Sequence, residues 1–297
     1  MSEAIPYVRE LEFAYGEAAQ VSPLIRRVIA PNASVFTYHG TGTYIVGRGR
    51  VAIIDAGPDL AEHVDAVLAA VDGETVTHLV VTHTHIDHSP ATRHVKAATG
   101  APSYGFGPHA GGEGPAVEEG ADRAFVPDHR IGDGAAIEGD GWTLEAVHTP
   151  GHTSNHLCFA LKEEQALFSG DHVMGWSTTV VSPPDGDMGA YLASLEKLAA
   201  RDDDTYWPTH GPPIPKPQRF VGKLLGHRRR RESEILAAVA DGTATIPELV
   251  VELYRGLDPR LHPAAARTVL AHLIHLVESG RATCDGTPDE GARYRAT

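Results

Sequence analysis

Short apolar runs broken by glycine and polar turns fill the first two thirds of the chain, and helical spacing takes over in the last third. Ser34–Tyr38, Thr43–Val46 and Val51–Asp55 are β-rich and parted by glycines, which predicts a three-strand meander. From Pro58 to Val71 the apolar residues Leu60, Val64, Val67, Leu68 and Val71 keep the period of a helix. His78–Thr82 reads as a compact buried strand. Ser89 offers an N-cap, Pro90 a first helical position and Gly100 a stop, so a helix is expected there. Residues 101–140 are harder to place, and GPHAGGEGPAVEEG within them reads as an exposed loop. Trp142–Val147, Leu157–Leu161, Ala166–Ser169 and Thr205–Pro208 read as further strands, with Gly189–Ala200 an amphipathic helix.

Proline then clusters at GPPIPKPQ (211–218), the composition of a linker or domain boundary. Helical segments follow at Arg219–Ala240, Ile246–Arg255 and Pro263–Ser279, and the tail CDGTPDEGARYRA fits a small hairpin. Three helices and a hairpin are the order of a winged-helix module, so the expected domains are 1–217 and 218–297. On the first of these segments, Leu225, Arg228, Glu232, Ile235, Leu236 and Val239 share a face. Arg228 is expected to pair with Glu232 one turn on, a structural role for the Arg228–Arg231 run rather than contact with RNA.

Composition narrows the function classes. A net charge of -14 works against non-specific binding to nucleic acid or anionic membrane. Two cysteines, Cys158 and Cys284, exclude a disulfide framework or zinc finger and suit reduced thiols in the cytoplasm. MSEAIPYVRELEFAYGE carries no basic region followed by an apolar run, and no apolar segment is long enough to cross a bilayer. The expectation is a cytoplasmic protein off the membrane, with oligomeric state open and a homodimer compatible with it. Glycine-rich turns lack the spacing of a phosphate-binding loop, and no Gly-x-Ser-x-Gly elbow is present.

Eighteen histidines invite a search for clusters, and LVVTHTHIDHSP (79–90) holds one. His83, His85, Asp87 and His88 leave a strand end and enter a helix start, a rigid mount for imidazole and carboxylate ligands of a transition metal. His152 in TPGHTSNH, Asp171 in LFSGDH and His210 in YWPTHG each stand at the end of a further strand. These seven residues make two sites: His83, His85 and His152 for one ion, Asp87, His88 and His210 for the other, with Asp171 between. Two divalent ions about 3.5–4 Å apart need such a carboxylate, and they hold a hydroxide between them.

HTHIDH at 83–88 matches the His-x-His-x-Asp-His motif of the metallo-β-lactamase superfamily, and PGHT, SGD and THG match its later motifs in order. The chain resembles that superfamily over residues 30–215. HRRRRESEIL and LHPAAARTVLAHLIHLVESGRA look like the winged-helix end of its β-lactamase-like-protein-2 subfamily, which also includes proposed endoribonucleases. The resemblance implies an α/β (α+β) fold, an αββα sandwich with the metals at one edge of two sheets and a small C-terminal winged-helix-like domain. It selects His152 over His148, and it makes Asp55 of IIDAG a support behind the metal loop. It also puts Met174–Met188 and the helix carrying Tyr191 at the mouth of the pocket. Asp171 stands where one subclass of secreted lactamases has cysteine, which moves the site toward the glyoxalase II and lactonase style. His156 and His172 lie beside ligands, where they either touch substrate or hydrogen-bond the ligands.

The expected activity is that of a zinc-dependent hydrolase, iron or manganese being able to substitute. It would act on a small ester, thioester, lactone or β-lactam-type substrate, with Asp87 orienting the nucleophile and taking its proton. Single-stranded RNA cleavage is the alternative. A DNA-binding regulator is disfavoured by Asp285, Asp289 and Glu290 in the expected wing.

Overall fold

The computed structural model describes residues 4–108 and 120–297. Two sheets stack face to face. The first runs in chain order through β1 (Ala19–Gln20), β2 (Ile25–Ile29), β3 (Gly42–Arg48), β4 (Arg50–Ile54), β5 (Thr75–Val80), β6 (Ser103–Gly105) and β7 (His129–Arg130). The second is built from β8 (Ala136–Gly139), β9 (Trp142–His148), β10 (Leu157–Leu161), β11 (Ala166–Gly170), β12 (Thr205–Pro208) and β13 (Ile214–Pro215).

Strand alternation explains the layering. Tyr44, Val46, Ala52 and Ile54 point inward and meet Leu144, Phe159, Phe168 and Trp207 of the other sheet. Their neighbours Ile45, Val51 and Ile53 point outward and are covered by Val64 and Val67 of α1 (Ala61–Ala70) and Val95 of α2 (Thr92–Thr99). On the far side, Cys158, Leu167 and Tyr206 pack under α3 (Met188–Ala199) and α4 (Pro217–Ala240) through Leu192, Leu195, Phe220, Val221 and Leu224. The result is the αββα sandwich.

The proline-rich stretch is not a slack linker. Ile214–Pro215 pairs with Thr205 and Tyr206 as an edge strand, and Pro217 opens α4, where a missing N–H costs nothing. The later half of α4 then enters a second core. There Ile235, Ala238 and Val239 meet Ile246, Leu249 and Val250 of α5 (Ile246–Leu253). Val269 and Leu273 of α6 (His262–Glu278) and Tyr294 of the β14–β15 hairpin (Ala282–Cys284, Tyr294–Ala296) complete it. No described helix is long and apolar enough to cross a membrane.

Several expectations are corrected. Ser34–Tyr38 is a turn, because the Ser34 hydroxyl accepts the Phe36 and Thr37 N–H groups at 3.0 and 3.1 Å. The strand pairing with β3 is instead IRRVI, whose two arginines hide the alternation. Arg26 pairs with Glu74 at the sheet margin, and buried Arg27 donates to the Gly211 carbonyl. Ser89 does not cap α2. Ala91 holds that position, and the Ser89 hydroxyl donates to Asp122 at 2.7 Å. Arg228 does not pair with Glu232, which meets His275 and Arg281 while Arg228 donates to the Thr179 carbonyl. Most of GPHAGGEGPAVEEG lies outside the described residues.

Candidate metal centre

Four loops at one edge of the two sheets converge on the residues singled out in the sequence. His83, His85, Asp87 and His88 follow β5, His152 follows β9, Asp171 follows β11 and His210 follows β12. All seven are buried, none more than 8% exposed. Their donor atoms form three overlapping groups within 4.8 Å: His83, His85 and His152; His83, His88 and Asp171; Asp87, His88 and His210. Asp171 Oδ2 lies 3.3 Å from His210 Nε2, 3.5 Å from His88 Nε2 and 3.9 Å from His152 Nε2.

Three of the five rings are aimed by a bond on the far side. His88 Nδ1 meets Asp55 at 2.9 Å, His152 Nδ1 meets the Val180 carbonyl at 2.9 Å and His210 Nδ1 meets the Gly40 carbonyl at 3.3 Å. Against these acceptors Nδ1 is the donor, which leaves Nε2 facing the cluster. Asp55 also accepts the Thr82 N–H and O–H at 2.8 and 2.7 Å. Asp87 Oδ2 accepts the Thr41 hydroxyl at 3.0 Å.

The charge states suit a cation. Burial, and then the neighbouring imidazoles, hold His83 and His85 well below the usual histidine value, so their lone pairs stay available. Burial alone would raise the Asp87 and Asp171 carboxyls, but adjacent His88 and His210 bring Asp87 to about 2 and Asp171 well below its usual range. Burial alone would likewise lower His88 and His210. The carboxylates overcome it, Asp171 and Asp87 taking His210 to about 10. That half of the cluster favours positive charge at its centre. His88 Nε2, His152 Nε2 and Asp171 Oδ1 are buried without a hydrogen-bond partner, a cost that a coordinated ion removes. The residues present fit divalent metal ions.

The superfamily motif has further company. The sequence profile of the metallo-beta-lactamase superfamily matches residues 37–210, and that of the beta-lactamase-associated winged helix domain matches 245–291. The chain belongs to the metallo-beta-lactamase superfamily. It is a hydrolase of that fold with a C-terminal winged helix. Atrochrysone carboxyl ACP thioesterase AgnL7 of Paecilomyces divaricatus is 35% identical over 229 residues, spanning 75% of this chain and 67% of its own. An atrochrysone carboxyl ACP thioesterase of Aspergillus terreus is 30% identical over 274 residues, covering 87% and 80%. Among solved structures, a beta-lactamase domain protein from Burkholderia ambifaria aligns over 97% of this chain and 96% of its own, with a TM-score of 0.80 at 20% identity.

Within this superfamily chain, the remaining candidates stand behind the cluster. His156 accepts the Asp171 N–H at 3.2 Å and is held by Thr149 at 2.9 Å. His172 and Tyr191 are both fully buried, their rings 4.5 Å apart, and the Tyr191 hydroxyl donates to the His172 carbonyl at 3.0 Å. Neither ring of that pair opens to solvent. His148 ends β9 against Phe106 and Ser154. Thr41, Thr209 and Val180 escaped the sequence reading. They act through hydroxyls and a carbonyl, and adjacency to the motifs was the only signal for Thr209. In the arginine run Arg228 is buried, Arg229 pairs with Glu196, and Arg231 pairs with Glu234.

Proposed function

We propose that this chain hydrolyses thioesters of carboxylic acids, using two divalent cations. The observation that carries the reading is the buried set of three overlapping donor groups joined through His83, His88 and Asp171. His83, His85 and His152 would hold one ion and Asp87, His88 and His210 the other, with Asp171 shared. Zinc suits the nitrogen-rich half, and iron or manganese suits the carboxylate-bearing half. Thioesters are favoured over lactones, β-lactams and esters because the curated relatives at 30–35% identity carry thioesterase names.

Bound divalent ions supply Lewis acidity, which acidifies water and polarises a carbonyl oxygen. The chain supplies the rest. Asp87, anionic and fixed by Thr41, takes the proton of the attacking water. Attack on the acyl carbon breaks the C–S bond, giving a carboxylic acid and a thiol that recovers the proton. Asp55, Val180 and Gly40 keep the three Nε2 atoms directed inward throughout. No protein nucleophile is needed. Cys158 is buried in the core, where desolvation pushes its thiol up to about 12.

A side-by-side panel tests the reading: an acyl pantetheine thioester, a lactone, a β-lactam, an aryl phosphodiester and single-stranded RNA. The thioester should show the highest kcat/KM, lost in Asp87→Ala and with EDTA. RNA cleavage that outruns it and is weakened by salt would reverse the assignment.

A further inference from the structure

Residues 4–18 precede β1 and form no helix or strand. They are nevertheless tied to two of the loops that serve the candidate metal centre. The Val8 N–H donates to the Gly175 carbonyl at 2.9 Å, on the loop that follows Asp171. The Arg9 carbonyl accepts the Tyr38 hydroxyl at 2.6 Å, and the Tyr15 hydroxyl donates to the His39 carbonyl at 2.8 Å. Phe13 adds a ring contact with His39 at 5.0 Å. Between the two loops, Tyr38 stacks on Trp176 with centroids 4.7 Å apart and planes within 13°. Trp176 in turn backs onto Gly211, where a Cβ would come within 2.7 Å of its ring.

The loop held in this way ends on the second set of ligands. The Gly40 carbonyl holds His210 Nδ1 at 3.3 Å, and the Thr41 hydroxyl donates to Asp87 at 3.0 Å. Asn32 fixes the direction of that hydroxyl. Its Oδ1 accepts the Thr41 N–H at 2.9 Å, so its Nδ2 donates to Thr41 Oγ1 at 3.0 Å and leaves the hydroxyl hydrogen for Asp87.

The turn before Thr41 is strained. Tyr38 has φ 60°, which a bulky side chain rarely adopts. Gly40 has φ 121°, and a Cβ there would stand 2.0 Å from the Ala30 carbonyl oxygen. Such a turn persists only where its surroundings hold it, and two of the holding bonds come from the N-terminal arm. His152 of the first set is aimed from elsewhere, by the Val180 carbonyl at 2.9 Å.

We propose that the N-terminal arm is a strap on the second metal site. Tyr15 and Tyr38 are positioning residues: through Gly40 and Thr41 they set the affinity of Asp87, His88 and His210 for their ion, and they leave the His83, His85 and His152 set unaffected. This rests on the two-ion half of the functional reading and not on the substrate.

The test is stepwise zinc binding to chelator-treated full-length protein, followed by competition with a chromophoric chelator. Tyr15→Phe combined with Tyr38→Phe removes only the two hydroxyls. It should weaken one of the two dissociation constants about tenfold, the low end for lost support of a ligand, and leave the other within about twofold. Thr41→Val, which cuts the bond to Asp87 itself, should weaken the same constant at least as far. His152→Ala and His210→Ala backgrounds assign the sites: the tyrosine pair should keep its effect in the first and lose it in the second. Circular dichroism shows that each variant is folded. Equal weakening of both constants, no weakening of either, or an effect that survives in His210→Ala overturns the proposal. A parent that takes up fewer than about two zinc ions sinks the two-ion reading and the strap with it. The expected shift without thioester turnover would leave the strap standing and sink the substrate assignment alone.

Discussion

Replacing Asp55 by Asn isolates the role of one buried charge. The Asp55 backbone has φ 49°, a left-handed conformation that asparagine tolerates as aspartate does, so strain is not added. The carboxylate is fully buried and accepts four hydrogen bonds: Thr82 N–H, Thr82 O–H, His88 Nδ1–H and, at 3.3 Å, Thr209 O–H. An amide offers one acceptor oxygen. If its NH2 takes the Oδ2 side, it confronts His88 Nδ1–H, and His88 must switch tautomer, which moves its proton onto the nitrogen facing the cluster. If it takes the Oδ1 side, it confronts the Thr82 N–H. Either way a charge-assisted bond of about 1.5–3 kcal/mol is lost and a buried donor is stranded, for a total near 3–5 kcal/mol. Removing such a support typically weakens metal affinity about 10–100-fold. Urea denaturation measures the first quantity, and zinc competition with a chromophoric chelator the second. A folded Asn variant with affinity within twofold of the parent and a stability loss below about 1 kcal/mol would refute the claim that Asp55 sets the His88 tautomer.

Gly151→Ala should be far more damaging than a surface change, because a Cβ there would lie 2.3 Å from the Tyr191 Cα at a backbone φ of +136°; a melting temperature within a degree or two of the parent would contradict this. Burial alone would raise the Glu232 carboxyl, but hydrogen bonds from His272, His275 and Arg281 bring it to about 2. Its contribution, about 3 kcal/mol, is therefore complete above pH 4.5 and lost as pH falls toward 2, so Glu232→Gln should flatten the acid limb of a stability–pH curve. Native protein treated with iodoacetamide at pH 8 should be alkylated at part-exposed Cys284 and spared at Cys158, as peptide mapping would show; rapid labelling of Cys158 would mean that the second-sheet core opens readily.

The site was legible because metal chemistry needs particular side chains at strand ends, and those leave letters such as HTHIDH in the sequence. The sandwich was legible where a strand alternates, as in β9, or runs apolar over five residues, as in β10. It was not legible in β6 and β7, which span three and two residues, too short for any period to register. Arg26 and Arg27 hid β2, because these arginines find partners elsewhere in the fold, Glu74 and the Gly211 carbonyl. The N-terminal strap was invisible for a different reason: Arg9 meets Tyr38 and Tyr15 meets His39 across 29 and 24 residues of chain, a span that no local pattern registers. Docking of the C-terminal helices explains the error at Glu232, where tertiary partners displaced the local i,i+4 pair.

The most direct test of the central claim is metal-titrated thioester hydrolysis. Protein stripped with chelator should be inactive toward an acyl pantetheine thioester. Activity should return with stoichiometric zinc and saturate at about two ions per chain, with elemental analysis of the same samples giving the same number. Asp171→Ala should fail to recover at any zinc concentration that restores the parent. Full hydrolysis by metal-free protein, or a doubly loaded chain that leaves the thioester untouched, would contradict the account.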